Sequence, residues 1–115
     1  LARVIPVIEA IHAELLATGR GDVQISVDTM NAVTALAAVS AGAKIINDVS
    51  GGMADDKMFS VAAATGATIV ISHWRGFSTE MDQLNQYLDV AREVGIELKA
   101  RIDAALAAGV KRTKL

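Results

Sequence analysis

Cysteine is absent from the chain, so disulfide bonds, thiolate zinc sites and cysteine nucleophiles are excluded. This absence suits a reducing compartment, and we expect a cytoplasmic protein. The apolar stretches are too short to cross a membrane, and the chain starts inside an amphipathic pattern without a signal peptide. The formal charge is only -2, without a run of five like charges. We therefore expect neither nucleic acid nor a membrane surface as a partner.

Aromatic residues are also scarce, at 3% of the chain, whereas apolar residues make up 52%. Alanine recurs in every segment with helical periodicity, which favours close packing of helices on a sheet over a large aromatic core. The only proline, Pro6, is acceptable near the first turn of a helix. A length of 115 residues permits one hydrophobic core. These features indicate a globular α/β protein.

Helical and strand-like segments alternate along the sequence. The patterns predict helices over 1–18, 30–41, 56–65 and 79–109, and strands over 23–27, 45–48 and 67–72. Such alternation predicts right-handed crossovers and a parallel sheet. The chain has neither the glycine fingerprint of dinucleotide-binding folds nor a P-loop. A closed (β/α) barrel is therefore favoured over an open nucleotide-binding sheet.

Three details of the helices can be predicted from the same patterns. In the second helix we expect Val33, Leu36 and Ala37 to face inward. Asp55 is expected to cap the third helix. Thr79 and Asp82 have the spacing of a capping box, which would start the long last helix there.

Each predicted strand ends on polar residues. Asp28 and Thr29 follow the first strand, Asn47 and Asp48 end the second, and Ser72 and His73 end the third. In parallel α/β proteins, ligands bind beyond the carboxyl ends of the strands. These residues therefore mark one rim as the candidate site.

The motifs at this rim resemble those of the dihydropteroate synthase family. The matching segments are SVDT at 26–29, GAKIINDVSGG at 42–52 and SHWRG at 72–76. INDVSGG is the specific piece, and the resemblance covers essentially the whole chain. It implies a (β/α)8 barrel of roughly 250 residues, of which this chain supplies about strands three to five. We thus expect a single partial TIM-barrel domain over 1–115, truncated at both ends.

The resemblance implies a transferase reaction in the folate pathway. A dihydropterin diphosphate would condense with p-aminobenzoate to give dihydropteroate and diphosphate, with Mg²⁺ as the cofactor. The family's first-strand asparagine loop, its second pterin-binding aspartate, its late lysine and its final Arg and His motif lie outside the matching segment. The magnesium ligands are expected there too, and we expect the isolated segment to be inactive.

In the family, the aspartate and asparagine that match Asp28 and Asn47 contact the pterin. Asp28 is also expected to stabilise positive charge as diphosphate leaves, which makes it the catalytic candidate. Relatives often carry a methionine against the pterin ring where Ser72 stands here. Val70, two residues earlier on the same face of the strand, is expected to give the ring an apolar contact in its place. The alternatives are helix capping for Asp28 and a local turn bond for Asn47.

Three further residues near the rim have less specific predictions. His73 and Arg75 could line the substrate mouth and contact an anion, with loop packing as the equal alternative. Asp48 is expected to point away from Asn47, because adjacent strand residues face opposite sides, and to bond a loop or a basic partner.

Open strand edges on a partial barrel predict association into a homo-oligomer. Two other functions remain open at this point. One is a methyltetrahydrofolate:corrinoid methyltransferase, whose barrel binds a folate with a similar Asp and Asn set. The other is a noncatalytic structural homologue.

Overall fold

The computed structural model describes all 115 residues and shows one sheet of three parallel strands in the order β1-β2-β3. The strands are β1 (Ser26–Asp28), β2 (Ile45–Asp48) and β3 (Thr68–Ile71). The helices are α1 (Ile5–Ala17), α2 (Ala32–Ser40), α3 (Met58–Thr65) and α4 (Val90–Ala107), with short 3-10 turns at Met81–Gln83 and Arg112–Lys114. The predicted alternation and parallel pairing are confirmed.

The two faces of the sheet differ in burial. Val27, Ile46 and Ile69 are buried and belong to the core cluster. The core is completed mainly by small helix residues and two larger side chains from α3: Ala35, Ala38, Met58, Phe59, Ala62 and Ala105. Because side chains alternate along a strand, the residues between the core positions point to the opposite, open face.

The inward face of α2 was predicted wrongly. Its buried residues are Ala32, Ala35 and Ala38, whereas Val33 and Leu36 are 62% and 47% exposed. Almost every residue of this helix is apolar, so the periodicity does not select one face. The alanine face packs on the sheet because small side chains allow the closest approach.

The start of the last helix was also predicted wrongly. Residues 79–89 form a 3-10 turn and irregular loop, and α4 begins after Asp89, whose side chain accepts a hydrogen bond from the Arg92 amide. The carbonyls of Leu84 and Gln86 accept hydrogen bonds from the Arg75 guanidinium. This loop is therefore held by side-chain contacts that a helix over the same residues would not make.

Smaller differences occur at other element ends. The first strand begins at Ser26 rather than at residue 23, and α3 begins at Met58 rather than at residue 56. Pro6 lies in the first turn of α1 as expected. No helix combines the length and apolarity needed to cross a membrane.

Candidate functional site

Asp28 and Asn47 lie side by side at the carboxyl ends of adjacent strands. They are register partners in the β1–β2 pair, and Asn47 Nδ2 donates a hydrogen bond to Asp28 Oδ2 over 2.9 Å. The Thr29 amide donates to the Asn47 carbonyl over 3.1 Å, which extends the β1–β2 pairing beyond the strand end. Both side chains therefore lie on the open face of the sheet.

Val70 completes a row across the three strands. It is the register partner of Asn47 in the β2–β3 pair and is 44% exposed. The open face thus presents a carboxylate, a carboxamide and an apolar side chain in sequence. This row can hydrogen-bond the edge of a flat polar heterocycle and contact its ring.

The structural alternatives for these two residues were helix capping by Asp28 and a local turn bond by Asn47. Asn31, rather than Asp28, caps α2, because its side chain accepts a hydrogen bond from the Thr34 amide over 2.9 Å. The Asn47 amide group donates to Asp28 across the strands. These contacts leave both side chains on the open face, available to a ligand.

The turn after β2 is built around Asp48, which is fully buried on the core side. Its Oδ1 accepts hydrogen bonds from the Ser50 amide and hydroxyl over 2.9 and 2.7 Å. Its Oδ2 accepts from the Gly52 amide over 2.7 Å. Asp48 therefore bonds a loop, as the sequence predicted, and fixes the chain directly after Asn47.

Two glycines make this turn possible. Gly51 and Gly52 have φ values of 58° and 76°, a region that costs side-chain-bearing residues about 1–2 kcal/mol. A Cβ on Gly52 would lie 2.7 Å from the Phe59 ring. The turn is thus both left-handed and tightly packed.

Asp55 links the start of α2 to the segment that leads into α3. The prediction that it caps α3 was wrong, because Lys57 holds the N-cap position of that helix without a side-chain cap hydrogen bond. Its carboxylate accepts hydrogen bonds from the Ala32 amide of α2 over 2.8 Å and from the Lys57 amide over 3.0 Å. These backbone hydrogen bonds lower the pKa of the Asp55 carboxyl. The positive end of α2 is therefore already occupied by a carboxylate.

Arg75, in the loop after β3, is held by protein groups on every side. Its five N–H donors bond the carboxylates of Glu93 and Glu97 and the carbonyls of Leu84 and Gln86. Its guanidinium carbon lies 3.8 Å from the centre of the Tyr87 ring. This arrangement matches the loop-packing alternative for Arg75.

His73 shares one of the same partners. Its Nε2 lies 2.7 Å from Glu97 Oε2, and Trp74 packs edge-on against Phe77 with ring centres 5.0 Å apart. The bonds from Arg75, and then that from His73, lower the pKa of the Glu97 carboxyl to about 2. Contact of His73 and Arg75 with a substrate anion stays a prediction.

The partners on α4 were missed by the sequence analysis. Glu93, Glu97 and Arg101 recur every four residues and so share one helix face. In the sequence this spacing indicates only ion pairs within the helix. The structure shows instead that Glu93 and Glu97 bond the loop after β3, while Arg101 Nε donates to the Gly51 carbonyl over 2.7 Å.

The residues of this chain do not form a metal site by themselves. No three His, Asp or Glu side chains lie together in a group that could hold a metal ion. Hard cations such as Mg²⁺ need several oxygen ligands.

A sequence profile of the family described as pterin binding enzyme matches residues 1–115. The folic acid synthesis protein fol1 of Schizosaccharomyces pombe is 44% identical over 113 residues, which are 97% of this chain and 15% of that protein. The dihydropteroate synthase of Mycobacterium leprae is 43% identical over 111 residues, which are 96% of this chain and 37% of that enzyme. The chain thus spans well under half the length of these curated relatives.

The fold agrees with the sequence comparison. The crystal structure of dihydropteroate synthase from Stenotrophomonas maltophilia, with imidazole bound in its active site, superimposes with a TM-score of 0.87 at 40% identity. The match covers 100% of this chain and 41% of that enzyme, so the three parallel strands correspond to part of a TIM barrel. With the family profile matching every residue, the chain belongs to the pterin-binding enzyme family.

Proposed function

We propose that this chain is the central part of a dihydropteroate synthase and supplies part of the pterin pocket of the complete barrel. The observation that carries this proposal is the Asp28–Asn47 pair, joined over 2.9 Å on adjacent parallel strands. The amino-substituted edge of a pterin offers both N–H donors and ring-nitrogen acceptors. A pocket for it therefore needs oxygen acceptors and an amide donor close together. This pair supplies both.

Ligands bound to similar enzymes support the same substrates. The dihydropteroate synthase of Xanthomonas albilineans, 35% identical with a TM-score of 0.80, was solved with 4-aminobenzoic acid. The Thermus thermophilus enzyme, 37% identical with a TM-score of 0.77, was solved in complex with 6HMPPP. We assign the corresponding substrates, p-aminobenzoate and the dihydropterin diphosphate, to the complete protein.

Asp28 is assigned the catalytic role. In the reaction, the bond from the exocyclic carbon of the pterin to the diphosphate oxygen breaks and its electron pair leaves with diphosphate. The amine nitrogen of p-aminobenzoate forms a bond to that carbon and releases one proton to solvent. Positive charge develops on the pterin as diphosphate leaves. A carboxylate fixed in a pocket from which the rest of the barrel excludes water would stabilise that charge strongly. Val70 would support the ring, and Asn47 would hold both the pterin edge and the Asp28 carboxylate.

The other properties of the complete protein follow from this assignment. Mg²⁺ would be held by residues of the complete protein that lie outside this segment. We also propose a cytoplasmic protein that forms a homo-oligomer. The relatives compared are synthases of folate biosynthesis, which favours this activity over methyl transfer to a corrinoid.

Calorimetric titration of the complete protein with a pterin diphosphate tests the proposal. Asp28→Ala and Asn47→Ala should each weaken binding by about tenfold or more, since each removes hydrogen bonds of about 1.5–3 kcal/mol involving a charged group. Asp103→Asn, on the exposed side of α4, is the matched control and should bind as wild type does. A wild-type protein that releases no binding heat, or that binds equally well after both alanine substitutions, would contradict the proposed pocket.

A further inference from the structure

We infer that α4 is a positioning element for the pterin site, in which Glu97 and Arg101 hold the two loops that follow β2 and β3. The consequence for substrate binding rests on the proposed function, whereas the loop contacts are properties of the fold. Glu97 and Arg101 are four residues apart and so lie on one face of α4, one turn from each other. Neither residue was a candidate from the sequence.

The Glu97 carboxylate anchors the loop after β3. It accepts hydrogen bonds from Arg75 Nε over 3.0 and 3.1 Å and pairs with His73 Nε2 over 2.7 Å. All of these groups are partly buried, and the Arg75 side chain is only 22% exposed. Charge-assisted and bidentate bonds of this kind fix geometry more strictly than single neutral ones.

Arg101 anchors the turn after β2. Its Nε donates to the Gly51 carbonyl over 2.7 Å, and its guanidinium carbon lies 5.4 Å from the centre of the Phe59 ring. That ring in turn packs so closely on Gly52 that no Cβ would fit between them. The turn is thereby held between Arg101, Phe59 and the buried carboxylate of Asp48.

The two anchored segments also touch each other. A Cβ built on Gly51 would lie 3.0 Å from the Ser72 carbonyl, so the turn after β2 rests against the start of the loop after β3. Asn47 and Val70 are each the last residue but one of the strand that leads into the first and the second segment, respectively. Displacement of either segment would therefore shift a residue of the proposed pterin row, and displacements near 1 Å can cost about a hundredfold in rate.

The test uses Glu97→Gln and Arg101→Met in the complete protein. Glu97→Gln keeps the side-chain length, Arg101→Met keeps the unbranched stem as far as the position of Nε, and both substitutions remove the charge. Asp103→Asn is the matched control, because Asp103 is 56% exposed and pairs only with Lys99 on the same helix. We expect the KM for the pterin diphosphate to rise about tenfold in the two variants and to stay unchanged in the control.

Two readouts separate positioning from a general loss of stability. Kinetics are measured at a temperature where circular dichroism shows every variant to be folded, and Arg101→Lys, which keeps one donor for the Gly51 carbonyl, should recover part of the lost affinity. Variants that unfold at lower temperature but keep the wild-type KM would overturn the inference.

Hydrogen exchange tests the loop contacts independently of the synthase assignment. Glu97→Gln should speed exchange of amides in 72–89, and Arg101→Met should speed exchange in 49–54, each by about tenfold relative to Asp103→Asn. If the wild type does not turn over pterin, the proposed function fails and exchange alone decides the inference. Unchanged exchange in both segments would refute it.

Discussion

Removal of the buried Asp48 carboxylate should destabilise the protein strongly. In Asp48→Ala, the buried amides of Ser50 and Gly52 lose their only acceptor. A buried donor without a partner costs about 1–3 kcal/mol. The Ser50 hydroxyl also loses its bond to Asp48, but a hydroxyl can rotate toward another acceptor, so the two fixed amides give an expected loss of roughly 2–6 kcal/mol. That is a large part of the 5–15 kcal/mol by which a typical domain is stable.

Asp48→Asn allows the reasoning to be checked atom by atom. The asparagine Oδ1 can keep the bonds from the Ser50 amide and hydroxyl, whereas its amide group faces the Gly52 amide, so one acceptor is lost. The expected loss is therefore about 1–3 kcal/mol, between those of wild type and Asp48→Ala. Asp103→Asn, which changes an exposed carboxylate in the same way, should stay within about 0.5 kcal/mol of wild type.

Urea unfolding followed by circular dichroism measures these differences, provided that the slope of the unfolding free energy against urea is the same for all four proteins. The expected order of stability is wild type and Asp103→Asn together, then Asp48→Asn, then Asp48→Ala. An Asp48→Ala protein as stable as the control would refute the reasoning, because it would mean that the turn relaxes or that water replaces the carboxylate without cost.

Three further outcomes are expected. Gly52→Ala should lose more than the roughly 1–2 kcal/mol that a left-handed alanine costs in thermal unfolding, because its Cβ would also clash with Phe59. Gly95→Ala, at a position where a Cβ meets no neighbour, should not be destabilised. The pKa of Glu97 lies at about 2, below its ordinary value of 4.5, so the ionised carboxylate stabilises the fold fully above about pH 4.5 and loses this effect as the pH falls toward 2. The unfolding free energy of Glu97→Gln should therefore change less with pH in that range than that of wild type. Parallel curves would contradict the pairing. Sedimentation of the 115-residue chain should show association through its open strand edges, and a monodisperse monomer would be evidence against it.

The sequence was sufficient to predict the alternating architecture and the position of the Asp28–Asn47 pair of the candidate site. β-branched runs ending in SVD and IIND predicted two buried strands, and the parallel register then placed Asp28 beside Asn47 without further assumptions. The positions of polar residues at strand ends can be predicted from the sequence because parallel strands bring their carboxyl ends to one rim.

The surroundings of the pair could not be predicted, because they depend on long-range contacts. Arg75 bonds Glu97 across 22 positions and Arg101 bonds Gly51 across 50, and nothing local in the sequence encodes such pairs. Such contacts also explain why the start of α4 was predicted wrongly. Residues 79–88 have helical spacing, but carbonyls within this segment accept hydrogen bonds from Arg75, and Asp89 caps the helix instead. In α2 the failure was different, since an almost wholly apolar helix offers no periodicity from which to choose a face.

The position of Asp55 restricts how this region can be remodelled. A single carboxylate bonds the first turn of α2 and the approach to α3, so lengthening the segment between Gly52 and Asp55 would disturb two crossover units at once. At the opposite ends of the strands the packing differs from loop to loop: Gly19 and Gly66 would meet no neighbour even with a side chain, whereas Gly42 is packed against His12 of α1. Engineers who wish to insert a peptide or open a new chain terminus in this barrel segment should therefore choose the loops at Gly19 or Gly66.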